Sequence, residues 1–209
     1  MTDRHILFSG PMVRALLDGS KTQTRRVLKP QPPSEARYSG IHYASDEPAS
    51  WFFNSPQGPR KIRERYEPGD RLWVREAWKC EERFHAVAPR DLKPGVPVYY
   101  SADPDPRDSN PGCAGRQRAG MHMPRWASRL TLIVTDVRVQ RLQEISEVDA
   151  IREGVTLIEE SIEDPRMAFM WLWDSLNASR GFGWDANPWV CALTFTVQPQ
   201  NIDQIGGTA

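Results

Sequence analysis

Ser128-Arg-Leu-Thr-Leu-Ile-Val-Thr-Asp-Val-Arg-Val-Gln-Arg-Leu142 is the stretch on which the fold reading turns. Leu130, Leu132 and Val134 alternate with polar residues, as do Val137 and Val139, which is the period of a strand with one covered face. The phase slips near Thr135-Asp136, where a bulge or bend is expected. Outward from it, Arg71-Leu-Trp-Val-Arg-Glu-Ala-Trp78 follows a Pro68-Gly69-Asp70 turn and reads as a strand covered on both faces. Trp189 to Val197 alternates as a terminal strand, and Ile6-Leu7-Phe8 is a short β-prone run.

Helices are fewer. Pro11 opens one, with Met12, Val13, Leu16 and Leu17 at helical spacing and Gly19 as its cap. Ser146 is an N-cap with Asp149 in the capping-box position, for a short helix ending at Gly154. Met167 to Leu176 carries Phe169, Leu172, Trp173 and Leu176 on one stripe. Two regions, about 30–66 and 80–125, are rich in Pro, Gly and Ser and read as loop-rich insertions, the second with a β-prone island at Val98-Tyr99-Tyr100. Many strands, few helices and long connections give an expected α+β chain, mostly β: a small β-barrel with α decorations, one domain over 1–200 and a flexible tail at 201–209.

Composition narrows the class. The 209 residues carry 27 basic and 27 acidic side chains, 39% hydrophobic residues and eight Trp, which excludes a disordered chain and a strongly basic nucleic-acid binder. Charge is nonetheless segregated: residues 1–38 hold seven Lys/Arg against three acids, and 143–174 hold nine acids against two Arg. The apolar runs are too short for a membrane span, and no signal peptide is expected at the N-terminus. Three widely spaced cysteines fit a reduced, cytoplasmic protein. Cys80, His85, Cys113 and His122 have irregular spacings that do not suit a zinc site, so no metal is expected.

Two short clusters carry potential chemistry. Gly19-x-Lys21-x-x-Thr24-x-Arg26 packs an amine, a hydroxyl and a guanidinium into a few residues after a helix cap. It lacks the second glycine of a phosphate-binding loop and follows a helix rather than a strand, which excludes a nucleotide triphosphatase. From the residues alone it is either a solvated helix exit, an anion site or a centre for acyl chemistry. Ala150-x-x-Glu153-Gly154 places an acid at a helix C-terminus, where the dipole disfavours it, a hint that Glu153 serves another group. Arg60, Lys61, Arg63, Arg65, Arg71 and Arg75 form a basic stripe that, with Arg25 and Arg26, suits a phosphate backbone. Equally, it could supply partners to Glu64, Glu67, Asp70 and Glu76. Trp73, Trp78, Trp171, Trp173 and Trp189 read as core. Trp51 and Tyr100, in or beside loops, are candidates to stack on a base.

Taken in order, Gly19-x-Lys21-x-x-Thr24-x-Arg26, Pro68-Gly69-Asp70-x-Leu72-x-Val74, the long strand and Ala150-x-x-Glu153-Gly154 resemble the ASCH domain family. Trp-Val-Arg-Glu-Ala-Trp at 73–78 and Asn-Pro-Trp-Val at 187–190 are similar to its long phage and prophage forms. The resemblance implies a PUA-like barrel that recognises a nucleobase, nucleoside or RNA, with no cofactor and no membrane partner. One branch hydrolyses the amide of N4-acetylcytidine. Carried over, Thr24 is the nucleophile, Lys21 the proton acceptor and Glu153 the proton donor, with Arg25, Arg26, Arg75, Trp51 and Tyr100 around the substrate. A free lysine has a pKa near ~10.4, and bringing it to a useful ~7–8 asks the site for about 4 kcal/mol. This chain is much longer than that branch, so a non-catalytic RNA- or modified-base-binding module and a metal-independent ribonuclease stay open. So does a purely structural phage component.

Overall fold

A computed structural model of the chain describes residues 2–44, 47–63, 65–104, 115–155 and 164–206. The chain is α+β and mostly strand. Its largest sheet joins β1 (Asp3–Leu7), β2 (Gln23–Val27), β6 (Arg71–Arg75), β9 (Thr131–Arg141) and β10 (Trp189–Gln198) in the order β1-β6-β9-β10-β2. β1 and β2 are unclosed edges, so the expected barrel is corrected to an open sheet. β1 runs parallel to β6, and β6–β9 and β10–β2 are antiparallel.

The chain groups into two compact units: Met1–Gly19, Asp70–Ile133 and Thr196–Ala209 form one, and Ser20–Gly69 and Val134–Phe195 the other. The long strand behaves as its pattern dictates: Val134 is buried, Thr135 and Asp136 are both exposed, and Val137 is buried again, so the alternation slips by one residue there. Leu72, Trp73 and Val74 are all buried, the mark of a strand covered on both faces.

In the first unit, α1 (Gly10–Leu17) has Pro11 in its first turn and Gly19 just beyond it at φ +81, and it buries Val13, Ala15 and Leu16. The strand expected over 71–78 is broken: β7 (Trp78–Cys80) pairs with β8 (Val98–Tyr100) as a hairpin. Trp78, Cys80, Leu92, Met123 and Ala127 form a core under it. The connections around that core are short 3-10 turns held by Arg118, whose guanidinium donates to the carbonyls of Val87, Phe84 and His85 while lying over the Trp78 ring. Residues 201–206, read as part of a tail, are anchored. Ile202 is buried, and the Asn201 amide donates to the carbonyls of Arg125, Trp126 and Ser128.

In the second unit, the insertion expected as loop is a three-stranded antiparallel meander: β3 (Arg37–Ala44), β4 (Glu47–Asn54) and β5 (Arg60–Arg63). Its alternation is hidden by a register shift between Tyr38 and Gly40, where Gly40 takes φ +147. The meander buries Trp51, Phe53 and Ile62, with Phe53 edge-on to Trp189 at 5.0 Å. Trp51 is therefore core, not a substrate platform. Here α2 (Glu147–Arg152) and α3 (Pro165–Asn177) pack together around Leu142, Ile145, Ala150, Phe169, Trp173 and Val190. Trp171, expected in the core, is half exposed at 50%, because it falls outside the Phe169–Trp173 stripe.

Truncating Trp51 to Ala is expected to lower stability by ~3–5 kcal/mol, read as a shift of the urea midpoint. Trp51→Phe should cost clearly less, because the Trp51 indole N–H is buried without an acceptor among the described residues and its loss leaves nothing unpaired.

Candidate functional site

The polar run after α1 is not a solvated exit. Residues 23–27 form β2, paired with β10 so that Arg25 faces Ala192 and Thr24 faces Leu193. Just before β2, the chain locks onto the end of α2. Thr22 N–H donates to Arg152 O at 2.8 Å, Phe195 N–H donates to Thr22 O at 3.0 Å, and Lys21 forms an antiparallel bridge with Glu153. On the other side, Ser146 caps α2 by accepting from Asp149 N–H, and Glu153 is its C-cap residue. Gly154, at φ +76, turns the chain away in the left-handed conformation that a Cβ disfavours.

That docking assembles a buried ionic network inside the second unit. Lys21 Nζ donates to the Glu153 carbonyl at 2.6 Å and to Glu153 Oε2 at 2.9 Å. Arg25 bridges the two carboxylates, through Nη1 to Glu153 Oε1 and Nη2 to Asp149 Oδ2, both at 3.0 Å. The Gln23 amide donates to Asp149 Oδ1 at 3.0 Å, and Arg138 reaches Asp149 Oδ2 at 3.2 Å. Lys21 is 0% exposed and Glu153 4%. Two cations face two carboxylates, so the core of the network is neutral. The Lys21 ammonium also sits on the C-terminal carbonyls of α2, where the helix dipole favours a cation.

The charge states follow from this packing. Burial draws the Lys21 amine below its ordinary value; Glu153 pulls it back up, and Arg26 and Arg25 push the same way as burial. Burial alone would raise Asp149, but Arg25, Arg138 and the Gln23 hydrogen bond outweigh it and hold that carboxyl below the ordinary range. Arg26 is half-buried and shares this field: burial lowers it, Tyr66 and Glu153 oppose, and Arg180 and Arg65 add to the lowering.

Of the residues singled out from sequence, Lys21 and Glu153 therefore meet directly, across 132 positions of chain. Arg25 joins them as an ion-pair partner, which removes it from any phosphate-binding stripe. Thr24 is buried at 3% exposed, and by strand alternation it lies on the face of β2 opposite Gln23 and Arg25, together with Arg26. Tyr100 belongs to the first unit, where its hydroxyl donates to Ala127 O at 3.0 Å and Arg129 lies 3.9 Å over its ring. Burial pushes that phenol up to about 12. Arg75 also belongs to the first unit. It lies 4.5 Å over Trp73 and donates to Met121 O.

The basic stripe does not act as one feature. Arg60, Lys61, Arg63 and Arg65 are exposed in the second unit. Arg71 is in the first and pairs with Asp3 at 2.7 Å. Asp70 and Glu76 pair with Arg4 and Arg129, and Glu64 lies outside the described residues. Cys80 is a buried free thiol, Cys113 lies outside the described residues, and among those described no cluster of His, Cys, Asp or Glu is arranged to hold a metal.

Asp149 and Gln23 were missed. Their signal was present: Asp149 and Glu153 are four apart on one short helix, a like-charge pair that destabilises unless cations come between. No protein-family model matches the chain, and neither a curated protein nor a solved structure matches it. Among the described residues, no helix is long and apolar enough to cross a membrane.

Replacing Arg25 by Met leaves both carboxylates under-paired and is expected to cost about 3–5 kcal/mol at neutral pH. In the native protein, the depressed Asp149 contributes stability above the unfolded pKa that is lost as pH falls through the folded one, below about pH 4. The Arg25→Met penalty should therefore shrink as pH drops into that window. Urea midpoints measured from pH 7 down to pH 3 check both.

Proposed function

We propose that the second unit recognises a nucleobase or nucleoside and hydrolyses the amide of an N4-acylated cytidine, in the manner of the ASCH family that its motifs resemble. The observation that supports this is the direct Nζ–Oε2 contact of Lys21 and Glu153 in a desolvated setting. A proton passed along that hydrogen bond converts the ion pair into a neutral amine and a neutral carboxylic acid. Those are the base and the acid that amide hydrolysis needs at neutral pH. Desolvation favours the neutral pair, and Arg25 on the other carboxylate oxygen favours the charged one.

Because Thr24 lies on the other face of β2, the nucleophile in this mechanism is water, and the Lys21 amine takes a proton from it as its oxygen bonds to the acyl carbon. The carboxyl of Glu153 gives its proton to N4 as the carbon–nitrogen bond breaks, so that cytidine leaves. The acyl group leaves as the carboxylic acid, and the proton gained by Lys21 passes back to Glu153 along their hydrogen bond.

The test is turnover of N4-acetylcytidine to cytidine, followed by chromatography, with the fold of each variant checked by circular dichroism. The native protein is expected to convert it, Lys21→Ala and Glu153→Gln to lose at least about a hundredfold, the usual size of a general acid–base contribution, and a folded Thr24→Ala to keep most of its activity. A loss of about a hundredfold in a folded Thr24→Ala would make Thr24 the nucleophile in place of water. A folded native protein that converts none refutes the hydrolase and leaves a binding module, tested by salt-dependent RNA affinity.

A further inference from the structure

The first unit holds a cavity of about 520 Å³ that the motifs above do not use. That volume lies within the range of small-molecule sites. Its charged and polar lining is Arg75, Arg90 and His122, and among the described residues no Asp or Glu lines it. Met121, Met123 and Pro124 supply an apolar wall.

Arg75 is held and yet under-used. Its guanidinium is fixed over Trp73 at 4.5 Å, and Nη1 donates to Met121 O at 3.1 Å. Its Nε–H is sealed from solvent and has no acceptor among the described residues. The Trp73 ring is in turn tilted against His5 at 5.7 Å, so the platform beneath Arg75 is itself packed. Arg90, 87% exposed, pairs with Asp91 at a long 3.9 Å. A rigid planar donor, a second, exposed guanidinium and an imidazole therefore border one cavity, with no carboxylate in its described lining. Guanidinium forks match phosphate oxygens, and an apolar wall accepts the body of an organic ester.

We infer that this cavity is a binding site for a small organic phosphate monoester of nucleotide size, its phosphate held by Arg75, Arg90 and His122. The site is independent of the Lys21–Glu153 network and of the function proposed for it.

Calorimetric titration of the full chain with adenosine monophosphate, adenosine and inorganic phosphate tests this, with amide hydrogen exchange to locate the ligand. The monophosphate is expected to bind at least about tenfold more tightly than either of the others, and to protect amides within 87–91 and 120–125. Arg90→Ala, at an exposed position that folding does not need, should weaken it about tenfold. Arg75→Lys, which keeps the charge and loses the fork, should do likewise. Affinity unaltered in Arg90→Ala and Arg75→Lys, protection elsewhere in the chain, or no preference for the ester over phosphate and adenosine each overturns the assignment.

Discussion

Two carboxylates on one face of a six-residue helix, Asp149 and Glu153, are buried against two cations from the approach to β2, Lys21 and Arg25. A charge taken out of water costs several kcal/mol unless its partners are placed well. That requirement sets the geometry of the second unit. The end of α2 must lie against residues 21–22, β2 must pair with β10 in one register, and Gly154 must turn the chain so that the Glu153 carbonyl faces the ammonium. The apolar cluster serves the same end. Ala150 anchors α2 within it, and Arg25 lies 5.8 Å over the Phe169 ring, so packing and ion pairing hold the same elements.

Arginine organises the first unit differently. Arg71 and Arg125 share Asp3, and Arg129 joins Glu76 to Asp103. These groups are more exposed than Lys21 and Arg25, so solvent screens them and each pair contributes less. Their role is to connect distant pieces of chain. Arg118 does so through carbonyls alone, which is how a proline-rich stretch keeps order with few ladder hydrogen bonds. The Asp3 carboxyl is held below its ordinary value, chiefly by the Arg71 hydrogen bond, while Glu76 is pushed up by burial despite Arg129. The same kind of pair thus tunes two acids in opposite directions, according to how far each is removed from water.

A buried ion pair is ambiguous as a sign of function. It is weak support for stability, since apolar residues of similar volume often do as well. It is also where proton transfer is easiest, because both neutral forms are favoured by desolvation. Lys21 and Glu153 meet both descriptions. The feature that tilts them toward chemistry is the removal of both groups from water, Lys21 at 0% exposed and Glu153 at 4%.

The sequence by itself determined the local elements whose signals are short in range. The slip in β9 at Thr135-Asp136, the Ser146 cap, the Gly154 stop and the doubly covered 71–75 strand were all legible, because each rests on neighbouring residues. That Lys21 and Glu153 share one site was implied only by the family resemblance, and their contact was not legible in the residues themselves. Only the tertiary structure decided the rest. Residues 37–63 form a meander whose alternation a bulge at Tyr38–Gly40 conceals. Trp51 is core, and the sheet stays open at β1 and β2. Asp149 turned from a capping residue into a partner of Arg25, and Arg75 and Tyr100 were separated from Lys21 into another unit. These outcomes depend on which surfaces bury one another across a hundred or so positions of chain. No local period encodes that choice, because a polar side chain in sequence carries no mark of whether it will meet water or an opposite charge.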